Sequence, residues 1–386
     1  MSLYHPTFDP PVSANVLVRK ERRLPVAGDV LARVGSRVEP DDIVAQALLP
    51  DPPVRINVAE LLGTRPKGLE RRLAKPVGST LEAGEVIISG RRGLRALQIK
   101  SPVAGTLRTY NDETGEVVIR SPGTMFTLRA TIKGLVTGQI PYRGVIIETP
   151  AVVVRGVLGL GGEQHGVLKV AVTEETEELL TDRVDARLTY AIVLGGSTIS
   201  AAALNKAVAS EVRAVIVGSM EEAELRAFLG YRDVGGWRLG RTGWVFPPPS
   251  PETAGSRPQL TLILTEGLGR IPMNRRAFEL LAAHDGEEVA VDGTTRLRDG
   301  LTRPEVIVPL ARATATPPAR TAPAALAAGS TVRLVAPPYV GVVAQVQALA
   351  PGRQQIDSGL SVPAAAVVLP NGHRIWVPLV NLELLE

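Results

Sequence analysis

Hydrophobic positions along the first 150 residues fall in short runs broken by Gly, Pro and Asp, the pattern of brief strands joined by tight turns. Two stretches line up. Val34-Gly-Ser-Arg-Val-Glu-Pro-Asp-Asp-Ile-Val-Ala45 and Val77-Gly-Ser-Thr-Leu-Glu-Ala-Gly-Glu-Val-Ile-Ile88 share four of twelve residues. Each reads as a strand, a turn built on Val-Gly-Ser, one apolar residue, a second turn and another strand. One motif used twice, two halves of a pseudo-symmetric barrel, or chance would each produce this. Beyond Gly144, the runs Val145–Ile147, Ala151–Val154 and Val167–Val172 predict strands flanking a glycine-rich segment, Gly156–Gly166.

From residue 173 the period changes. Glu174–Leu180, Ser197–Ser210, Glu221–Leu229 and Asn274–Ala283 have helical spacing, with Gly230 placed to stop the third. Between them lie the apolar runs Leu188–Leu194, Val212–Val217, Leu260–Leu264 and Glu288–Val291. Alternating strand and helix implies an α/β layer with a partly parallel sheet. The Gly-, Pro- and Trp-rich stretch 235–258 reads as an excursion or hairpin. A Pro/Ala-rich linker follows at 313–328, then a compact run of alternating strands, Thr331–Val335, Gly341–Leu349, Ala364–Leu369 and Arg374–Val377. The expected fold class is thus multidomain and β-rich with an α/β middle. The expected divisions are 1–150, 151–312, the linker 313–328, and 329–386.

Composition narrows the chemistry. The 386 residues contain no cysteine, which excludes disulfides, thiolate nucleophiles and Cys-ligated metals. The four histidines (His5, His165, His284 and His373) are scattered, so no metal site and no cofactor are expected. Net charge is +4, mildly basic. The first residues show no charged-then-apolar leader and no run of about eighteen apolar residues occurs, so a cytoplasmic location without a membrane span is expected.

Leu81-Glu-Ala-Gly-Glu-Val-Ile87 followed by Ile99-Lys-Ser-Pro-Val-Ala-Gly-Thr-Leu107 resembles the second half of a biotinyl/lipoyl domain, a barrel-sandwich hybrid. Gly28-Asp-Val-Leu-Ala-Arg-Val-Gly35 repeats the idiom upstream. In that family the modified lysine sits eight residues before the proline, here Pro102. The matching position is Leu94, between Gly93 and Arg95. A biotin or lipoate amide needs a primary amine, so the resemblance implies the fold without the carrier chemistry. Arg91, Arg92 and Arg95 would place three guanidiniums on the same hairpin. They are candidates for phosphate or an acidic partner.

The glycine-rich segment does not fit a dinucleotide fingerprint. Counting from Gly159, position 164 is Gln164, and a strand follows where a phosphate loop would open a helix. It reads as a strand-connecting turn, with His165 its one side chain of chemical interest. If the α/β sheet is parallel, its strand ends gather Gly195, Gly196, Ser197, Thr198, Glu266, Arg270 and Asp292 on one edge. That edge is the expected ligand position in open α/β sheets. Ser197 or Thr198 would cap a helix and present amides to an anion.

Thr331-Val-Arg-Leu-Val-Ala-Pro-Pro-Tyr-Val-Gly-Val-Val-Ala-Gln-Val346 resembles a KOW motif, the opening of an SH3-like barrel with its glycine at Gly341. Asn371-Gly372 has the composition of a two-residue hairpin turn. KOW modules bind RNA, RNA polymerase or ribosomal surfaces. Here Arg333, Arg353 and Arg374 are balanced by Asp357, Glu383 and Glu386, so phosphate attraction is weak and a protein contact through Tyr339 and Trp376 is favoured. No nucleophile–base pair is visible, which points away from an enzyme. The expected function is a non-enzymatic adaptor that docks a protein partner or complex. The alternatives are an RNA- or transcription/translation-associated factor and a small-ligand or nucleotide-binding α/β protein.

Overall fold

A computed structural model describes residues 11–92, 95–230, 238–240, 243–245, 260–295, 302–310, 326–336, 338–357 and 359–385. The chain is β-rich, with its strands in several sheets. It begins with β1 (Val12–Arg23), β2 (Asp29–Val30), β3 (Arg37–Val38) and β4 (Ile43–Leu49). A second unit then intervenes. It comprises β5 (Val54–Asn57), α1 (Val58–Leu62), β6 (Thr80–Leu81), β7 (Val86–Arg92), β8 (Arg95–Lys100), β9 (Gly105–Tyr110) and β10 (Glu116–Arg120). The first unit resumes with β11 (Thr124–Arg129), β12 (Gly134–Ile140) and β13 (Gly144–Arg155). Because β4 and β11 pair antiparallel with Leu49 opposite Thr124, the intervening unit occupies the tip of an outer hairpin. Each unit has its own core. Val44, Ala47, Val136 and Ile147 belong to the outer one, and Leu62, Ile87, Leu107 and Ile119 to the inner one.

The two units are copies of one fold. In both, a glycine in the left-handed region (Gly35, φ 88°; Gly78, φ 97°) turns the chain into a two-residue strand, β3 or β6. Its amide donates to Val136 O at 2.8 Å in the outer copy and to Leu107 O at 2.7 Å in the inner. The next turn is closed alike, by Glu39 N donating to Asp42 Oδ2 at 2.8 Å and Glu82 N donating to Glu85 Oε2 at 2.9 Å. Pairing registers also correspond. Leu128 faces Ala45 as Ile99 faces Ile88, and Val136 faces Ile147 as Leu107 faces Ile119. Even the β-bulges recur, at Val136/Gly138 in the outer copy and in the matching ladder of β9 and β10. The related segments in the sequence are therefore one motif used twice, each with a core of its own.

The α/β layer follows. It holds β14 (Leu158–Leu160), β15 (Glu163–Val170), β16 (Ile192–Leu194), α2 (Ala201–Ala209), β17 (Ala214–Met220), α3 (Glu222–Leu229), β18 (Arg238–Gly240), β19 (Gly243–Val245), β20 (Thr261–Leu268), α4 (Arg275–Ala282), β21 (Glu288–Asp292) and β22 (Glu305–Pro309). Strands β15, β16, β17 and β20 are mutually parallel, with β14 and β21 antiparallel at their flanks. β22 pairs with β13, so one sheet runs from this layer into the outer β unit, and the boundary expected at residue 150 falls inside β13. Gly156–Gly166 is a strand–turn–strand, β14 into β15. The helix expected at 174–180 does not form. Leu179 is fully buried and bridges Ile199, while Ser197 N donates to Glu177 O at 2.7 Å. Tertiary pairing overrides the acid-rich helical pattern. In the 235–258 stretch, β18 and β19 form a short antiparallel pair, and its other residues, like 313–325 of the linker, lie outside the described residues.

The C-terminal unit contains β23 (Thr331–Leu334), β24 (Val343–Gln355), β25 (Ser361–Val368), β26 (Arg374–Pro378) and β27 (Leu382–Leu384). These form one antiparallel sheet in the order β26-β25-β24-β23-β27. The Asn371-Gly372 turn differs from expectation. Leu369 N bonds His373 O at 2.9 Å, so three residues span the tip, with Gly372 at φ 81°. A type I turn closed by a left-handed glycine suits that loop length.

Candidate functional site

The residues expected on the α/β edge do not all gather there. Asp292 ends β21, which runs antiparallel to β15, and Asp292 pairs with Glu163 at the start of that strand. It therefore lies at the opposite edge from Gly195 and Glu266, near Lys20 Nζ at 3.9 Å. Gly195 and Gly196 are packed close. A Cβ on Gly196 would stand 2.5 Å from the carbonyl oxygens of Glu174 and Glu177. Ser197 and Thr198 continue the strand rather than cap the helix. Ser219 N donates to Ser197 O at 2.7 Å, and Thr198 bridges Ser219. The cap of α2 is Ser200, whose hydroxyl accepts from Ala203 N at 3.2 Å.

The anion expected at that helix start is supplied by the protein itself. Glu224 of α3 accepts a hydrogen bond from Ala201 N at 2.7 Å. A carboxylate there is favourable to the helix dipole and fills the position a phosphate would take. Glu224→Ala is expected to lower unfolding free energy by about 1–2 kcal/mol in urea titrations. Added phosphate should leave the native protein's midpoint unmoved, and a rise would show that the amides are accessible after all.

Glu266 is the centre of a buried charge network. Arg333 donates to Glu266 Oε2 through one nitrogen and to Glu383 Oε2 at 3.1 Å through the other. Arg303 bonds the remaining oxygen of Glu383 and donates to Gly156 O at 2.9 Å. Glu266 also accepts from Asn274 N at 2.9 Å. The side chains are 3–10% exposed. Two guanidiniums and two carboxylates thus join the C-terminal sheet to the end of β20. Beside them Gly267 and Gly341 bring the two backbones together, and a Cβ on Gly341 would meet Glu266 O at 2.6 Å. Glu266 is committed to this joint. Arg270 lies outside it, exposed and paired with Glu221, which raises the guanidinium's pKa.

Of the other sequence candidates, β7 and β8 form the expected hairpin, with Arg92 opposite Arg95. Arg91 is exposed; Gly93, Leu94 and the side chains of Arg92 and Arg95 lie outside the described residues. Tyr339 packs against the C-terminal core, while Trp376 is half-buried beneath Arg374, 5.5 Å from its ring centroid. His165 is 17% exposed, with Nε2 3.4 Å from Asp41 and Nδ1 3.7 Å from Glu288. Among the described residues no cluster of His, Asp and Glu has the arrangement to hold a metal ion. No helix among them is long and apolar enough to cross a membrane.

A feature that motif reading missed lies on the inner unit. Its sheet β5-β10-β9-β6 turns an open depression of about 400 Å³ outward, lined by Arg55, Arg108, Arg120, Asn111, Glu116 and Val118 among others. Arg55 lies 3.3 Å from Glu116, whereas Arg108 and Arg120 are exposed and have no ion-pair partner among the described residues. Arg108 is the extra residue of the β9–β10 bulge, since Leu107 pairs Ile119 and Thr109 pairs Val118. A bulge re-aims a side chain, here toward the two flanking arginines. Residues 54–120 hold twelve Lys and Arg against seven Asp and Glu, so this unit carries a surplus of five while the whole chain carries +4. Dispersed singly along three strands, the arginines form no run that a linear motif would expose.

Compared with known protein families, with curated proteins and with solved structures, the chain matches none.

Proposed function

We propose that this protein is a non-enzymatic adaptor. Its α/β layer and C-terminal unit serve as a base from which a small basic β unit is presented to a larger assembly. The observation that carries this is the nesting. The inner unit is joined to the outer one by two short segments, 50–53 and 121–123, and Asp51 binds them together by accepting from Ser121 Oγ at 2.8 Å and Thr124 Oγ1 at 3.0 Å. Each nested copy is read as a barrel-sandwich hybrid, supported by the β7–β8 hairpin and the Ser101-Pro-Val-Ala-Gly105 turn. In the outer copy, the hairpin tip that holds a modified lysine in biotinyl/lipoyl domains is where the inner copy is inserted. The C-terminal sheet is read as a KOW-type, SH3-like barrel, supported by Gly341 between β23 and β24.

Affinity capture with quantitative mass spectrometry tests this. The full chain is compared with a variant in which a short turn replaces residues 52–122. The same partners should be retained by the full chain in repeated captures and lost from the variant. Identical partner sets, or none retained across a salt series, would refute the adaptor role.

A further inference from the structure

We infer that the arginine face of the inner unit grips the phosphate backbone of duplex nucleic acid, an inference that rests on reading the inner unit as the adaptor's contact surface and adds a ligand of defined chemistry to its protein partners. The two copies supply an internal control. Through the shared registers and bulges, Arg55 corresponds to Glu21, Arg120 to Glu148, and the bulge residue Arg108 to Thr137. The outer copy builds the same sheet, with the same twist-inducing bulge, from two carboxylates and a threonine. The fold therefore does not require guanidiniums at these positions. Three of them converge on one face of the inner copy alone, and only one has a carboxylate neighbour there.

Exposed arginines held on a rigid sheet present planar donor forks that match phosphate oxygens. The surplus of five positive charges on the same unit adds to the attraction at longer range. No aromatic side chain lines the depression. The one aromatic residue in 54–120, Tyr110, is half-buried in the inner core and donates its hydroxyl to Pro66 O. Stacking on unpaired bases, the usual basis of single-strand binding, has no platform here. What remains is contact with a paired backbone, which carries charge without sequence information.

Fluorescence anisotropy with short mixed-sequence RNA and DNA duplexes tests this on the full chain. The native protein should bind with an affinity that falls steeply between about 50 and 200 mM salt. The triple variant Arg55→Gln, Arg108→Gln, Arg120→Gln should bind roughly tenfold or more weakly, with the salt slope reduced by about 2–3. A control triple, Arg65→Gln, Lys67→Gln, Arg71→Gln, removes equal charge elsewhere on the unit and should weaken binding less. Because the outer copy folds without these arginines, the first triple should keep the native melting temperature. Arg108→Gln alone provides a milder second test. Three results would overturn the inference: no duplex binding by the native chain, equal losses in the two triples, or competition by polyglutamate as effective as that by duplex at matched charge. Those outcomes leave partner capture untouched. Duplex binding that survives while no partner depends on the inner unit would sink the adaptor role alone.

Discussion

Arg333→Ala is expected to destabilise the protein by about 3–5 kcal/mol, because it leaves the buried Glu266 without a cation and the buried Glu383 with one of its two. Glu266 and Glu383 are 5% and 3% exposed, and Arg333 is the cation between them. Without it Glu266 keeps only Asn274 N among the bonds described above, and Glu383 only Arg303. Arg333→Lys should recover part of the loss, since an ammonium restores charge but cannot reach both acids with one planar fork. Chemical denaturation measures the change. Hydrogen exchange should show faster opening across 331–334 and 382–384 before the inner β unit is affected. A loss below about 1 kcal/mol would mean that the joint is solvated and that the C-terminal sheet is not held by it.

Gly105→Val should be comparably severe, at about 3 kcal/mol or more, but confined to the inner unit. A Cβ there would lie 2.4 Å from Arg120 O, a backbone atom that can retreat only by breaking the β9–β10 ladder. Its counterpart Gly134 faces Glu148 O at 2.7 Å. Gly134→Val should therefore disrupt the outer copy. Because β12 and β13 belong to the large sheet, the damage should spread toward β22. Hydrogen exchange distinguishes the two. For Gly105→Val, protection should vanish over 54–120 and persist in β13 to β22. Simultaneous loss throughout the chain would show that the nested units unfold as one.

The sequence was informative where structure is local. The apolar runs locate most strands of the C-terminal sheet, and capped helical spacing locates α2, α3 and α4 within a few residues. The repeated Val-Gly-Ser turn was visible because both copies need a glycine with positive φ at the same point. Its nesting was not, because β4 meets its partner β11 only after the whole inner unit has been threaded between them. Asp292 lies off the expected edge for a related reason. Placing Asp292 beside Glu266 assumed a parallel sheet, and strand direction is a tertiary property that no run of residues encodes. Glu266 looked like a free acid because its cation, Arg333, lies 67 residues away on a different sheet. The arginine face was hidden by the period-2 alternation of strands, which scatters one surface across β5, β9 and β10.

Nesting also changes the entropic cost of closing the outer hairpin. Pairing β4 with β11 from an open chain means closing the entire loop 50–123, whereas a folded inner unit leaves only the short segments 50–53 and 121–123 to be immobilised. Shortening the effective loop roughly tenfold lowers the entropic penalty by about 2 kcal/mol. During synthesis β1, β3 and β4 emerge before the inner unit, and their partners β13, β12 and β11 only after it. Condensation of the embedded core would thus bring the two ends of the outer hairpin, Leu49 and Thr124, within pairing distance of each other.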